Sequence, residues 1–149
     1  MVDVIIRTIG PQDYEQWLTL YTSYIKFCGR TTIEDNNIKT LWHWIMQKKI
    51  FCLVAVIDNE FVGLTHTQQL YSPLNGRLTG YLEDFFVAEN HRGSGIGQQL
   101  INYVKQLGKE KNWLFIRWKT KETNLLAQAF HNKIAKKTSW ITYQLNLEQ

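Results

Sequence analysis

An apolar run at residues 82–88, a glycine-dense hexapeptide and a helical pattern at 98–107 follow one another directly, and this succession constrains the fold most. The hexapeptide reads Arg92-Gly93-Ser94-Gly95-Ile96-Gly97. A helix starting straight after a strand gathers unpaired amide donors and a partial positive charge at its first turn. Glycines let the backbone turn tightly and bring those N–H groups close to a ligand. The combination suits a phosphate or pyrophosphate, and Arg92 adds a fixed cation for phosphate oxygens. The alternative is a plain strand-to-helix turn.

Which phosphorylated ligand follows from what the loop lacks. A Walker loop ends in Gly-Lys-Ser/Thr, whereas Gly97 is followed by Gln98-Gln99. A dinucleotide fingerprint needs a further glycine three residues past Gly95, and Gln98 stands there. What remains is Arg-x-x-Gly-x-Gly at Arg92, Gly95 and Gly97. Downstream, a strand pattern at 113–118 precedes Asn124, Ala127, Phe130, His131 and Lys133, spaced as Asn-x-x-Ala-x-x-Phe-His-x-Lys. Together these motifs resemble the GCN5-related N-acetyltransferase (GNAT) family, with His131 where a tyrosine is usual. The resemblance covers the order of nearly the whole chain. Glu83-Asp84-Phe85-Phe86-Val87 is similar to the diamine and polyamine branch, and Trp118-Lys119-Thr120 to relatives named for yeast histone and polyamine acetyltransferases.

The resemblance implies a single α/β (α+β) domain over 1–149: a mixed, mostly antiparallel sheet of about six to seven strands flanked by about four helices. It implies acetyl-CoA as cofactor. The amides of Arg92, Gly93, Ser94, Gly95, Ile96, Gly97 and Gln98 would hold its pyrophosphate, with Asn124 and Lys133 as further contacts. Backbone groups of Phe85, Phe86 and Val87 would bind the pantetheine arm, on a strand that splays from the next. An amide near Phe85 would polarise the thioester carbonyl, a kind of interaction worth about 3–4 kcal/mol per donor. Relatives commonly dimerise, sometimes by exchanging C-terminal strands, so a homodimer is expected.

The acceptor chemistry follows from the amine. An alkylamine has a pKa near 10, so a base or a water chain must remove its proton before attack. Glu83 is the candidate base, acting through water; its alternative is a structural carboxylate pairing with an arginine. Glu83, Asp84 and Tyr24 are the candidate acceptor-binding residues, two adjacent acids favouring a cation. Simple alternation would point Glu83, Phe85 and Val87 one way and Asp84 and Phe86 the other. Buried hydrogen bonding is the competing role for Asp84. His131 could donate a proton to, or hydrogen-bond, the leaving sulfur, or could be a packing residue. Asn124 reads first as a helix N-cap. Trp17, Tyr21, Tyr24 and Trp42 read as core with some prospect of walling the acceptor site, and His43 and His66 as ordinary structural or surface histidines.

Composition sets the outer bounds. The net charge of +4 fits either a solvated surface or a polyanionic cofactor, and no recognised nucleic-acid module is present. No apolar run approaches membrane-spanning length and the start lacks a signal-peptide pattern, so no membrane partner is expected. Two cysteines, Cys28 and Cys52, suggest buried thiols rather than a disulfide, hence a reducing cytoplasm; no metal-ligand cluster stands out. The periodicity predicts strands at 2–8, 51–57, 61–70, 81–87, 113–118 and 141–147. It predicts helices from an Asp13 N-cap to near Gly29, after Thr31-Thr32, at 98–107 and from Asn124. Asp58-Asn59-Glu60 marks a hairpin and 72–76 a loop; the resemblance implies that specificity lies in the helices at 13–49 and the loop at 71–80.

Overall fold

The computed structural model describes residues 3–30 and 33–148, which divide after Trp118 into two compact units. The expectations resting on Met1, Val2, Thr31 and Thr32 lie outside the described residues. The first unit holds a five-stranded sheet in sequence order: β1 (Ile5–Thr8), β2 (Phe51–Ile57), β3 (Glu60–Ser72), β4 (Arg77–Val87) and β5 (Ile116–Arg117). The first four pair antiparallel, and β5 joins β4 in parallel. The architecture is therefore the expected α+β, mostly antiparallel one, with five strands instead of six or seven.

Helices cover both faces of this sheet. On one face α1 (Tyr14–Phe27) and α2 (Asp35–Met46) bury Trp17, Leu20, Tyr21, Ile25, Ile38 and Ile45 against Val54, Leu64 and Phe86. On the other, α3 (Ile96–Glu110) buries Ile96, Leu100 and Val104 against Leu53, Ala55 and Leu82. β2 is apolar almost throughout because both of its faces are covered, leaving no polar alternation to read. Its hairpin to β3 turns at Asp58 (φ 48°) and Asn59 (φ 65°), two residue types that tolerate the left-handed region a two-residue turn demands.

Three local expectations need correction. Asp13 does stand at the start of α1, but its side chain does not cap it. It accepts instead from Arg7 at 2.7 and 2.9 Å and from the Gly10 amide at 2.7 Å, tying β1 to the helix start. The loop read at 72–76 is the turn between β3, which ends at Ser72, and β4, which begins at Arg77, so the wider 71–80 loop is mostly strand. The strand at 113–118 shrinks to Ile116–Arg117, since Trp113 closes the end of α3 and sends its indole N–H to Gln69 Oε1 at 2.8 Å.

The second unit contains α4 (Leu125–Ile134), capped as expected: Asn124 Oδ1 accepts from the Ala127 amide at 3.1 Å. The predicted strand at 141–147 does not form. Its alternating Ile141, Tyr143, Leu145 and Leu147 are all exposed. A strand needs a neighbouring backbone to satisfy its N–H and C=O groups, and an apolar row is insufficient without one.

Candidate active site

The geometry begins with an irregularity in β4. Thr67 of β3 pairs with Leu82 and His66 with Asp84, so Glu83 is an extra residue, a β-bulge. Before the bulge Leu82 faces α3; after it Phe85 and Val87 face α3, while Phe86 faces α1. The face assignment for Glu83 is thereby overturned. Gln68, two residues beyond the α1-facing His66, donates from Nε2 to Glu83 Oε2, which places Glu83 on the side of Asp84 rather than of Phe85 and Val87. The bulge brings both acids to one face. The apolar spacing of three and then two at Leu82, Phe85 and Val87 is the sequence signal for it.

Asp84 is the better held of the pair. His66, 1% exposed, lies 2.8 Å from Asp84 Oδ2 through Nδ1, and receives the Trp17 indole N–H on Nε2 at 3.0 Å. An indole nitrogen only donates, so Nε2 must be the accepting, unprotonated nitrogen. Nδ1 therefore carries the proton and donates it to Asp84. Tyr21 adds its hydroxyl at 3.4 Å. Burial, the largest influence, would raise the Asp84 pKa, but the hydrogen bond and electrostatic attraction of His66, followed by Tyr24 and Tyr21, outweigh it and leave the carboxyl below its usual range. Both tyrosines are pushed up, first by burial and then by the Asp84 charge, so they remain hydroxyl donors.

Aromatic rings surround this carboxylate. Trp17 stacks on Tyr21 at 5.3 Å, Tyr21 on Tyr24 at 5.7 Å, and Tyr24 and Phe27 both tilt against Phe86. Expected acceptor-site residues Tyr24 and Asp84 are thus brought together, whereas Glu83 is exposed. Sequence reasoning missed His66 as a partner in this network, because a lone histidine in a strand carries no mark of its bonds.

At the far end of β4 the glycine loop takes the anticipated form. Gly93 and Gly95 have φ of 77° and 87°, and Gly95 is the N-cap of α3, with no side chain closing it. Gln99 donates the first intrahelical bond, to Gly95 O at 3.1 Å, so the amides of Ile96, Gly97 and Gln98 precede the ladder. Gly97 is not a turn residue; its missing Cβ leaves room for the Phe85 ring, whose Cζ would lie 3.1 Å from a methyl group there. Ser94 Oγ donates to the His91 carbonyl and steadies the turn. Arg92, at the mouth of the loop, has its side chain engaged with the end of β4. Its Nε donates to Val87 O at 2.9 Å and its guanidinium lies 4.8 Å over Phe27 and 5.5 Å over Phe86.

The strand between acids and loop splays as expected. The β5 register reaches only Gly80 and Tyr81, so the ladder on that edge of β4 ends before Leu82–Val87. On the other edge Phe85, Phe86 and Val87 pair with Thr65, Leu64 and Gly63. The unpaired edge of β4 and the donors at the start of α3 fit an extended thiol cofactor carrying a pyrophosphate. In the second unit Asn124 caps α4, Lys133 is exposed, and His131 is half-buried with its pKa lowered by that burial.

Comparison with known proteins agrees with this geometry. The model of the acetyltransferase (GNAT) family matches residues 14–135. The D-amino-acid N-acetyltransferase HPA3 of Saccharomyces cerevisiae is 25% identical over 146 residues, covering 96% of this chain and 91% of that protein. An uncharacterised N-acetyltransferase of Archaeoglobus fulgidus is 25% identical over 129 residues, 85% and 88% of the two chains. Among solved structures, the aminoglycoside N-acetyltransferase AAC(6')-Iy in complex with CoA superposes with a TM-score of 0.85 at 20% identity, covering 99% of this chain and 97% of that one. The ribosomal-protein-alanine N-acetyltransferase of Brucella melitensis gives 0.83 at 21% identity, covering 97% and 99%.

Proposed function

The chain belongs to the acetyltransferase (GNAT) family and is an acetyl-CoA-dependent N-acetyltransferase, and on that premise we propose that its acceptor is a small primary amine, polyamine-like or amino-acid-like. The observation that carries this reading is the pair of acids that the bulge brings to one aromatic-walled face, beside the open edge of β4. A cationic acceptor suits two carboxylates and ring faces. The curated yeast relative is named for amino acids, which supports a small acceptor over a protein one.

The donor supplies a thioester-activated acetyl group. In this reading the amides of Gly93, Ser94, Gly95, Ile96, Gly97 and Gln98 hold its pyrophosphate. Backbone groups of Phe85, Phe86 and Val87 align its arm, and the Phe85 amide stabilises charge developing on the carbonyl oxygen. Arg92, bonded to Val87 O, braces the end of that strand. By their positions in the family's motif, Asn124 and Lys133 are assigned as further cofactor contacts. Glu83, exposed and bonded to Gln68, takes the amine proton through water, while Asp84 and Tyr24 bind the acceptor. By its position in the family's motif, His131 is assigned to the leaving sulfur. Its lowered pKa makes it a neutral N–H donor near pH 7, which suffices because a thiolate with a pKa near 8.5 needs little help to leave.

The exposed row Ile141, Tyr143, Leu145 and Leu147 supports a homodimer in which a second copy supplies the missing strand partner. No helix among the described residues is long and apolar enough to cross a membrane, and the two free cysteines suit a reducing cytoplasm.

The test is release of CoA thiol from acetyl-CoA with a panel of primary amines that includes diamines, polyamines and amino acids. Glu83→Gln and His131→Phe are run beside the unsubstituted protein. The reading requires turnover with at least one amine, a fall in kcat for both variants and unchanged cofactor affinity. Tight acetyl-CoA binding without thiol release to any amine would leave a binding module instead of an enzyme with such an acceptor.

A further inference from the structure

Trp17 and His66 both spend their polar atoms on one chain of bonds that ends at Asp84. Trp17 is 0% exposed and His66 1%, whereas the Asp84 side chain is 20% exposed, so the chain runs from the core to an accessible anion. Each link is directional. The indole N–H fixes the imidazole tautomer, the tautomer fixes the Nδ1–H donor, and the donor fixes the carboxylate. Among the described residues the one Lys or Arg ion pair is Arg7–Asp13, and the only basic side chain within 4.0 Å of Asp84 is His66, so no Lys or Arg neutralises that carboxylate. A largely buried carboxylate held by uncharged donors retains its charge without a cation to neutralise it.

We propose that Asp84 is the anion that receives the ammonium group of the acceptor, and that Trp17 and His66 are positioning residues that hold it in place. The inference rests on the amine-acetyltransferase reading above. It divides the labour between the two acids: Asp84 holds the positive charge among the rings of Tyr21, Tyr24 and Phe86, and Glu83, in water, accepts the proton. Oδ2 already takes the bonds from His66 and Tyr21. The carboxylate therefore suits a point-charge ammonium better than a guanidinium, which asks for both oxygens at once.

Steady-state kinetics with the best amine of the panel, at saturating acetyl-CoA, test the assignment. Asp84→Asn is expected to raise the amine KM about 50-fold or more, the scale of losing one partner of a buried charge pair, with acetyl-CoA affinity unchanged. Trp17→Phe and His66→Gln are each expected to raise it about five-fold, as for one lost hydrogen bond. Glu83→Gln should lower kcat with little change in KM. Nitrogen-15 NMR of the imidazole should show the Nδ1–H tautomer for His66, and a mixture of tautomers in Trp17→Phe. An unchanged amine KM in Asp84→Asn, a larger KM effect from Glu83→Gln, or an Nε2–H tautomer in the unsubstituted protein overturns the proposal. So does a parallel loss of acetyl-CoA affinity in Trp17→Phe, which marks a purely structural residue. Absence of turnover by the unsubstituted protein with every amine is a different failure, that of the enzyme reading itself.

Discussion

The two faces of the sheet are built by different means. The α3 face is aliphatic, with Leu100 and Ile96 packed on Ala55 and Leu82, and its functional end is backbone: left-handed glycines and the first turn of a helix. The α1 face is aromatic and polar, and its functional end is side chain: Trp17, His66, Asp84 and two tyrosines in one hydrogen-bonded group. A site made from backbone depends on conformation and tolerates exchange of most side chains. One made from side chains depends on the identity of each member.

Core truncations are the hardest test of that contrast. Trp17→Ala should cost about 3–5 kcal/mol and Leu100→Ala about 2–5 kcal/mol in urea unfolding, since both residues are fully buried. Only the first should also raise the amine KM of whatever protein remains folded; equal KM effects would dissolve the distinction. On the backbone side, Gly95→Val places a β-branched residue at φ 87° and costs about 2 kcal/mol, read as about 30-fold weaker acetyl-CoA binding by calorimetry. Amine KM at saturating cofactor should barely move.

Acid sharpens the comparison further. Asp84 has its pKa lowered in the folded state, as does Asp13 through its bond to Arg7, so the unfolded chain takes up these protons first. Their stabilisation is complete above the unfolded carboxyl value of about 4 and is lost as pH falls through the lower folded value. Urea midpoints between pH 5 and 2.5 should decline for the unsubstituted protein, and less steeply for Asp84→Asn and for Asp13→Asn. The smallest effect is expected from Gly97→Ala. The added methyl meets the far end of the Phe85 ring, which can shift by a few tenths of an ångström for below about 1 kcal/mol.

The same contrast explains what could be read in advance. Glycines with helical residues behind them have few structural interpretations, so the loop was legible at Gly93 and Gly95, as was the Asn124 cap. Asp13 also looked like a cap, but Arg7 lies close enough to take its carboxylate, and a charged fork outcompetes a backbone amide. The row at 141–147 alternates correctly, yet alternation describes a face and cannot supply the neighbour. Glu83 was assigned to the wrong side because period-two counting assumes an unbroken ladder. His66 could not be recognised from composition, because its bonds join α1, β3 and β4 across long stretches of chain.

The bulge also separates what folding requires from what the site requires. Counting without Glu83, Leu82 faces α3, Asp84 faces α1, Phe85 faces α3 and Phe86 faces α1, a regular strand with every apolar residue still buried where it is now. A chain lacking that single residue could keep the pairing of Leu82 with Thr67 and of Asp84 with His66, and with it the packing on both faces and the place of the glycine loop. Glu83 is thus a residue the sheet can do without, supplied to the site and not to the core.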